Sequence, residues 1–458
     1  MSKTPEQTRE PEESKELEDW LIKQSITEVE CLVSDLAGIP RGKIVPVGKF
    51  KSAVSESTLR LPEYVFGQLV TGEYISSEVL EETSVDIILK PDIRGLRLVP
   101  WYKEPTAQII HDAYYHDGSV VDVAPRQVLK RVIALFEEKG IIPVVAPELE
   151  FFLVQQANDP NNPLAPPMGK SGRAEMARQA YGIDAVNEFD PLFEDIYDYC
   201  EVQQLDIDTL SHEAGAAQME INFNHGTALD LADQTFLFKR TVRQAALDHG
   251  VHATFMAKPM QRQPGSAMHV HVSLCDKQTG ANLFSNADGE ASPLFYHAIG
   301  GMQRYLPAAM PLMAPYVNSY RRLLAGEESP TNLAWGVDNR TVGLRVPRSD
   351  PKNRRIENRI PGADANPYLA IAGTLAAVWL GLENKLQASH ELNRSGEDIT
   401  TIPRNLDVAL DKLCQARALQ PVLGERFVRI FDEVKRAEAE AFLQVISPWE
   451  REFLLLNV

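Results

Sequence analysis

Two short stretches restrict this chain more than any others: Pro147-Glu148-Leu149-Glu150-Phe151-Phe152 and Met268-His269-Val270-His271-Val272-Ser273. Each sets groups able to bind a metal two residues apart inside an apolar, β-prone run. On a strand, residues i and i+2 share a face about 7 Å apart. On a helix they point nearly opposite ways. One strand therefore presents paired carboxylates and the other paired imidazoles, both directed toward an interior. Burying such groups costs several kcal/mol unless something compensates, and a divalent cation is the natural candidate.

Two further segments behave alike. Ser211-His212-Glu213-Ala214-Gly215-Ala216-Ala217-Gln218-Met219-Glu220 puts one carboxylate before a small-residue turn and another on a strand, where Gln218 and Glu220 share a face. Arg355-Ile356-Glu357-Asn358-Arg359 alternates Arg, Glu and Arg on a single face. One such pair means little, because most carboxylates are solvated surface and most lone histidines are satisfied core or surface groups. Four independent alternations are hard to obtain from solvent-facing strands. The donors are carboxylates with one or two imidazoles and no thiolate, which favours Mg²⁺ or Mn²⁺ over structural zinc. Arginines beside a hard metal suggest phosphate or carboxylate recognition. Together they point to phosphoryl transfer, in which metals and guanidinium groups neutralise developing charge.

Composition removes other classes. The net charge of −18, from 46 Lys+Arg against 64 Asp+Glu, argues against nucleic-acid or membrane-surface partners. No apolar run approaches the ~20 residues of a membrane helix. Residues 1–20 are polar and acidic, unlike a secretory signal. Cys31, Cys200, Cys275 and Cys414 lie far apart, as expected of reduced thiols in a cytoplasmic protein.

The chain divides into a flexible acidic tail (1–22), a strand-rich N-terminal domain (23–118) and a larger domain (119–458). Val29 to Asp35, Lys43 to Val47, Val85 to Leu89 and Ala107 to His111 read as strands. Gly38 to Lys43 superficially resembles a phosphate loop, but it is one residue short, contains Pro40 and lacks the following Ser/Thr, so a hairpin turn is the better reading. A helix opens at Asp122 and ends at Gly140. Asn158 to Gly172 is a loop. Helices are expected over Pro191 to Leu205, Asp230 to His249 and Asn366 to Leu386, and the chain looks helical from Asn405 to Val445, ending on an apolar-rich tail, Trp449 to Val458.

From about residue 25 onward the chain resembles the glutamine synthetase family. The segment holding Glu148 and Glu150 matches that family's P-E-x-E-F-F. Glu213 and Glu220 fall on H-E-x-x-x-x-Q-x-E. Gly265, His269, His271 and Ser273 fall on G-S-x-M-H-x-H-x-S. Asn318 to Arg322, Asn339-Arg340 and Lys352 to Arg359 match N-S-Y-x-R, N-R and P-K-x-R-R-I-E-x-R. The resemblance implies an α+β fold: a small β-grasp-like N-terminal domain and a large catalytic domain with an antiparallel β-barrel or funnel surrounded by helices. It also implies two metal ions, Mg²⁺ or Mn²⁺, and ATP. Glu150, Glu213 and Glu220 would hold the metal nearer the amino acid, and Glu148, His269 and Glu357 the metal nearer ATP. Gly265, Arg322 and Arg359 would bind L-glutamate. Arg340, Arg345 and Arg355 would contact the nucleotide phosphates and the transferred group, with His271, Ser273 and Lys352 around the nucleotide. Glu328, or its neighbour Glu327, matches a mobile-loop glutamate that closes over the site, and His212 has the plainer reading of a residue behind it. A homo-oligomeric ring, a hexamer or a stacked dodecamer, is implied, with active sites between adjacent subunits.

The departures matter as much. Glutamine synthetases carry an Asp-Gly-Ser-Ser segment whose Asp helps form the ammonium pocket. The corresponding stretch here, Leu59 to Gly67, is apolar and aromatic. The Asn that precedes the glutamate-binding glycine in the family is Pro264, and no Tyr follows Tyr368 to serve the family's adenylylation. Ammonium and alkylammonium are both mostly protonated at neutral pH, with pKa values near ~10, so either acceptor needs a base such as Glu328. What is lost is a small anionic cage for NH₄⁺. The pattern looks like the γ-glutamyl-amine (γ-glutamylpolyamine) synthetase branch, joining glutamate to a primary amine. The alternatives are an authentic glutamine synthetase with a rearranged ammonium site and a catalytically silent scaffold; the intact metal-ligand motifs argue against the second.

Overall fold

The computed structural model describes residues 15–77, 79–80, 85–156, 159–324, 329–392 and 401–458. Two sheets organise them. The first contains β1 (Glu28–Ser34), β2 (Pro40–Pro46), β3 (Arg60–Pro62), β4 (Asp86–Pro91), β5 (Arg97–Leu98) and β6 (Thr106–Tyr114). Its order is β2-β1-β6-β4-β3, with β5 also paired to β6. β1 and β6 run parallel, and β1 and β2 form a hairpin whose turn uses Gly38 at φ +78. The segment from Gly38 to Lys43 is thus a hairpin turn entering an edge strand, as its proline and missing hydroxyl suggested.

The second sheet builds on an unusually long strand, β7 (Ile141–Gln155), with β8 (Ile207–His212), β9 (Gln218–Phe223), β10 (Gly226–Thr227), β11 (Val251–Thr254), β12 (Met268–Asp276), β13 (Trp335–Val337), β14 (Leu344–Val346) and β15 (Ile356–Asn358). The order is β13-β14-β15-β12-β7-β9-β8, with β10 and β11 also pairing with β7. Every pairing except β13 with β14 is antiparallel. The alternating segments of the sequence therefore occupy β7, β9, β12 and β15. Around them pack the helices Pro125–Glu138, Ala228–Asp248, Pro293–Ala309 and Pro367–Glu383. The last is apolar on all sides and buried from Pro367 through Gly381, which explains its lack of an amphipathic stripe. The first, second and fourth fall within a few residues of their expected bounds, the usual precision of helix ends, whereas Pro293–Ala309 was not anticipated from the sequence. The stretch from Asn405 to Val445 is not one helix. It breaks into Leu406–Gln415, Leu419–Leu423 and Glu425–Leu443, the last break at Gly424, whose φ of +104 suits glycine alone.

A buried arginine fastens the two sheets together. Arg126, on the helix Pro125–Glu138, donates to Asp112 on β6 (2.6 Å), to Asp92 just after β4 (2.7 Å) and to both carboxylate oxygens of Asp233 (2.9 and 2.8 Å). Tyr368 also donates to Asp233, at 2.7 Å. Burial pushes the Asp92 carboxyl up, but hydrogen bonding from Arg94 and the charge of Arg126 outweigh it and hold the group well below the usual range. Removing one partner of a buried ionic network strands the others. Arg126→Met should therefore cost about 3–5 kcal/mol in denaturant unfolding. Lys130→Met, which removes a half-exposed partner of Asp112, should cost no more than about 1 kcal/mol. Equal losses from the two variants would contradict this account.

Candidate active site

Strand register assembles the site. In the antiparallel pairing of β7 with β12, Glu148 lies opposite His269; across β7 and β9, Glu150 lies opposite Glu220 and Glu148 opposite Asn222. β12 sets His271 opposite Glu357 on β15, and β14 sets Arg345 opposite that same glutamate. Opposed residues share a face, as do residues two apart. Carboxylates from three strands thus converge with two imidazoles. Glu213 joins them from the turn that follows β8.

The side chains meet closely. His271 Nε2 is 2.7 Å from Glu148 Oε1, and His269 Nδ1 is 3.4 Å from Glu148 Oε2 and 3.7 Å from Glu357 Oε1. Arg345 donates to Glu357 Oε2 at 2.7 Å, and Arg359 pairs with the other oxygen of Glu357. Glu150 Oε2 accepts from the Ala267 amide (2.8 Å) and from Gln218 (3.2 Å). Arg322 is buried and donates to the carbonyls of Ile360 (2.8 Å) and Arg359 (3.0 Å). Gly265 is required by packing: a Cβ there would lie 2.5 Å from Arg322 Cγ and 2.6 Å from the Ala257 carbonyl.

A cleft of about 590 Å³ joins these groups. Glu148, Glu150, Glu213, Glu220, His269 and Glu357 line it, together with Gly265, Arg322, Arg340, Arg345 and Arg359. Four expected residues lie behind or beside it. His271, on the same face of β12 as His269, stands behind Glu148, its Nε2 turned to that carboxylate and its Nδ1 accepting from Arg355 Nε at 3.2 Å. Ser273 donates to the Arg354 carbonyl at 3.0 Å, and Lys352 is exposed in a short turn, Pro351–Asn353. Glu328 and Glu327 lie outside the described residues. The cleft also recruits residues the sequence reading passed over: Asn222 on β9 and Tyr181, which approaches Arg340 at 3.4 Å. Asn222 was accessible, two positions beyond Glu220 on the same face. Tyr181 had no periodic signal around it.

Electrostatics test whether cations fit. Burial pushes the Glu220 carboxyl up to about 9, and the charges of Glu148, Glu150 and Glu213 push the same way. Burial and Glu213 raise Glu150 to about 7 against the pull of Arg322. Burial likewise opposes ionisation of Glu148, yet hydrogen bonds from His269 and His271 hold it well below the usual range. Burial, followed by the charge of Arg359, pushes the His269 imidazole down to about 4, leaving it neutral as a metal ligand must be. Two groups have ligand atoms within 4.8 Å of one another: Glu148, His271 and Glu357, and Glu148, Glu220 and His269. Oxygen-rich donors crowded by mutual repulsion suit hard divalent cations such as Mg²⁺ and Mn²⁺. The two groups cut across the metal assignments implied by resemblance, since His271 joins one and Glu148 serves both.

The chain is similar to known proteins over nearly its whole length. A family model described as "Glutamine synthetase, catalytic domain" matches residues 122–454. Gamma-glutamylputrescine synthetase PuuA of Escherichia coli is 37% identical over 437 residues, covering 94% of this chain and 92% of that protein. Glutamate–isopropylamine ligase of a Pseudomonas species is 29% identical over 445 residues, covering 94% and 95%. A solved structure, GmaS without ligand, superposes with a TM-score of 0.82 at 27% identity, covering 95% of this chain and 98% of that one.

Since burial favours the protonated forms of Glu150 and Glu220, a divalent cation held by them would displace protons on binding. Mn²⁺ affinity should strengthen as pH rises from about 6 to 9. Calorimetry at pH 7, in buffers of different ionisation enthalpy, should record release of about one to two protons. A pH-independent affinity with no proton release would contradict this picture of the site.

Proposed function

Since the chain belongs to the glutamine synthetase family, we propose that it is an ATP-dependent ligase joining the γ-carboxylate of L-glutamate to a primary amine, with release of ADP and phosphate. The observation that carries this reading is the single cleft in which the carboxylate–imidazole cluster meets Arg322, Arg340, Arg345 and Arg359. By the family resemblance Glu150, Glu213 and Glu220 would hold one divalent ion and Glu148, His269 and Glu357 the other, with Glu148 close enough to both groups to serve as the link between them. Bound Mg²⁺ or Mn²⁺ supplies the charge that neutralises the polyphosphate and the group in transfer.

Arg322, Arg359 and the close backbone at Gly265 seat glutamate. A γ-carboxylate oxygen attacks the terminal phosphorus of ATP, the bond to ADP breaks, and a γ-glutamyl phosphate forms. Arg340, Arg345 and Arg355 hold the phosphates in line, with His271, Ser273 and Lys352 beside the nucleotide. The amine nitrogen, freed of its proton by Glu328, then attacks the acyl carbon and phosphate leaves. We further assign residues 23–118 to a domain that covers the cleft of an adjacent subunit in a ring.

The amine follows from the N-terminal segment. Leu59 to Gly67 forms β3 and a short turn whose one carboxylate, Glu63, is buried against Tyr115 and accepts from Arg426 at 2.7 Å. A carboxylate so neutralised is poorly suited to caging NH₄⁺, and its apolar neighbours favour an acceptor with a carbon skeleton. This agrees with likeness to ligases named for putrescine and isopropylamine. Among the described residues no helix is long and apolar enough to cross a membrane.

The test is a panel of ammonia, aliphatic and aromatic monoamines and polyamines, with phosphate release measured in the presence of ATP and glutamate. A carbon-bearing primary amine should give the highest kcat/KM; ammonia as the clearly best acceptor would sink the proposal. Chelation by EDTA should abolish turnover, and added Mg²⁺ or Mn²⁺ should restore it. Glu220→Ala should lower kcat by roughly a hundredfold or more while leaving the assembly intact on a sizing column. Wild-type turnover in that variant would refute its role.

A further inference from the structure

Glu175 stands outside every motif of the site, in the connection between β7 and the short helix Ile183–Asn187. Its Oε2 lies 3.0 Å from His212 Nε2 and 2.8 Å from the Ala217 amide nitrogen, which donates to it. His212 is 1% exposed, and its other nitrogen, Nδ1, is 2.6 Å from the Glu213 carbonyl. Both ring nitrogens thus face acceptors, which a doubly protonated ring satisfies. One carboxylate therefore grips the Glu213–Ala217 turn at both ends, through the imidazole at its start and directly at its finish. Ala217 has φ +54, a region sparsely populated by residues with a Cβ. Its bond to Glu175 helps to hold it there. Glu213 opens this turn, and Glu220 follows it on β9. The same loop is stitched down again where the Tyr181 amide donates to the His212 carbonyl at 2.9 Å.

We propose that Glu175 is a positioning residue for the metal site: by fixing the turn between His212 and Ala217 it sets the spacing of the Glu213 and Glu220 carboxylates. This rests on the reading that those two glutamates serve a divalent ion. A carboxylate that orients ligands without touching the metal commonly changes metal affinity when removed. It need not change folding.

The test compares Mn²⁺ binding, followed by electron paramagnetic resonance, and ligase kinetics in wild type, Glu175→Ala, Glu175→Gln and Glu188→Ala. Glu188, just after the helix Ile183–Asn187, holds the same loop by accepting from the Ser171 amide at 2.9 Å without reaching the turn, so it controls for general loosening. Glu175→Ala should weaken Mn²⁺ binding roughly ten- to a hundredfold and lower kcat, with an unchanged melting temperature. Glu175→Gln keeps an acceptor for Ala217 and should recover part of the affinity; it carries the comparison should the alanine variant fail to fold. Glu188→Ala should bind Mn²⁺ as wild type does. Unaltered Mn²⁺ affinity in both Glu175 variants, or equal weakening in Glu188→Ala, overturns the role of Glu175 while leaving the ligase reading intact. A wild-type protein that neither binds Mn²⁺ nor turns over removes the ligase reading itself, and the positioning role with it.

Discussion

Everything at the site depends on a register. β7 has neighbours on both sides, and its pairing with β12 and β9 decides that Glu148 meets an imidazole while Glu150 meets another carboxylate. A slip of one residue would turn these groups to the opposite face and bring Leu149 and Phe151 into the cleft. The buried apolar residues between them, Leu149 and Phe151 at 0% exposure, make that slip expensive. The hydrophobic core and the charged site are thus two faces of one strand, each enforcing the other. The burial and mutual repulsion that raise Glu150 and Glu220 are tolerated because packing on the reverse side holds their strands in place.

Arg126 works by a different rule. It is surrounded by Asp92, Asp112 and Asp233, a cluster of anions that only a buried cation reconciles. Those acids come from the first sheet and from a helix against the second, so the arginine fixes the relation between a strand-rich layer and the body that bears the cleft. Tyr368, at the start of the fully apolar helix, adds that helix to the same junction. Specificity of docking, rather than raw stability, is what such a network supplies best.

The sequence reading recovered what periodicity encodes. Segments with polar groups at period two became β7, β9, β12 and β15, and their inward glutamates and His269 share one cleft. Pro293–Ala309 was not anticipated, but the helices Pro125–Glu138, Ala228–Asp248 and Pro367–Glu383 were legible from apolar spacing. Properties that arise from pairing between distant strands were not. His271 bonds Glu148 because of the antiparallel partnership of β12 with β7, which no local pattern reveals. Tyr181 and Glu175 sit in a stretch of Gly, Ala and polar residues without any period, and only its path over the turn after β8 brings them to the site. The break at Gly424 was visible as a glycine but was masked by strong helical spacing on both sides.

Glu63 and Arg426 are 363 residues apart, and their contact joins the first sheet's short turn to the long helix near the chain's end. The same guanidinium donates to Tyr115 and Asp122, so a single side chain gathers the close of β6, the approach to the larger body and the late helix. A change of residue in this segment is consequently not a local matter. Any exchange at Glu63 that removes its carboxylate also unseats a cation on which three remote parts of the chain converge. Residues of this segment and of the C-terminal helix should then change together, as a linked set rather than one at a time.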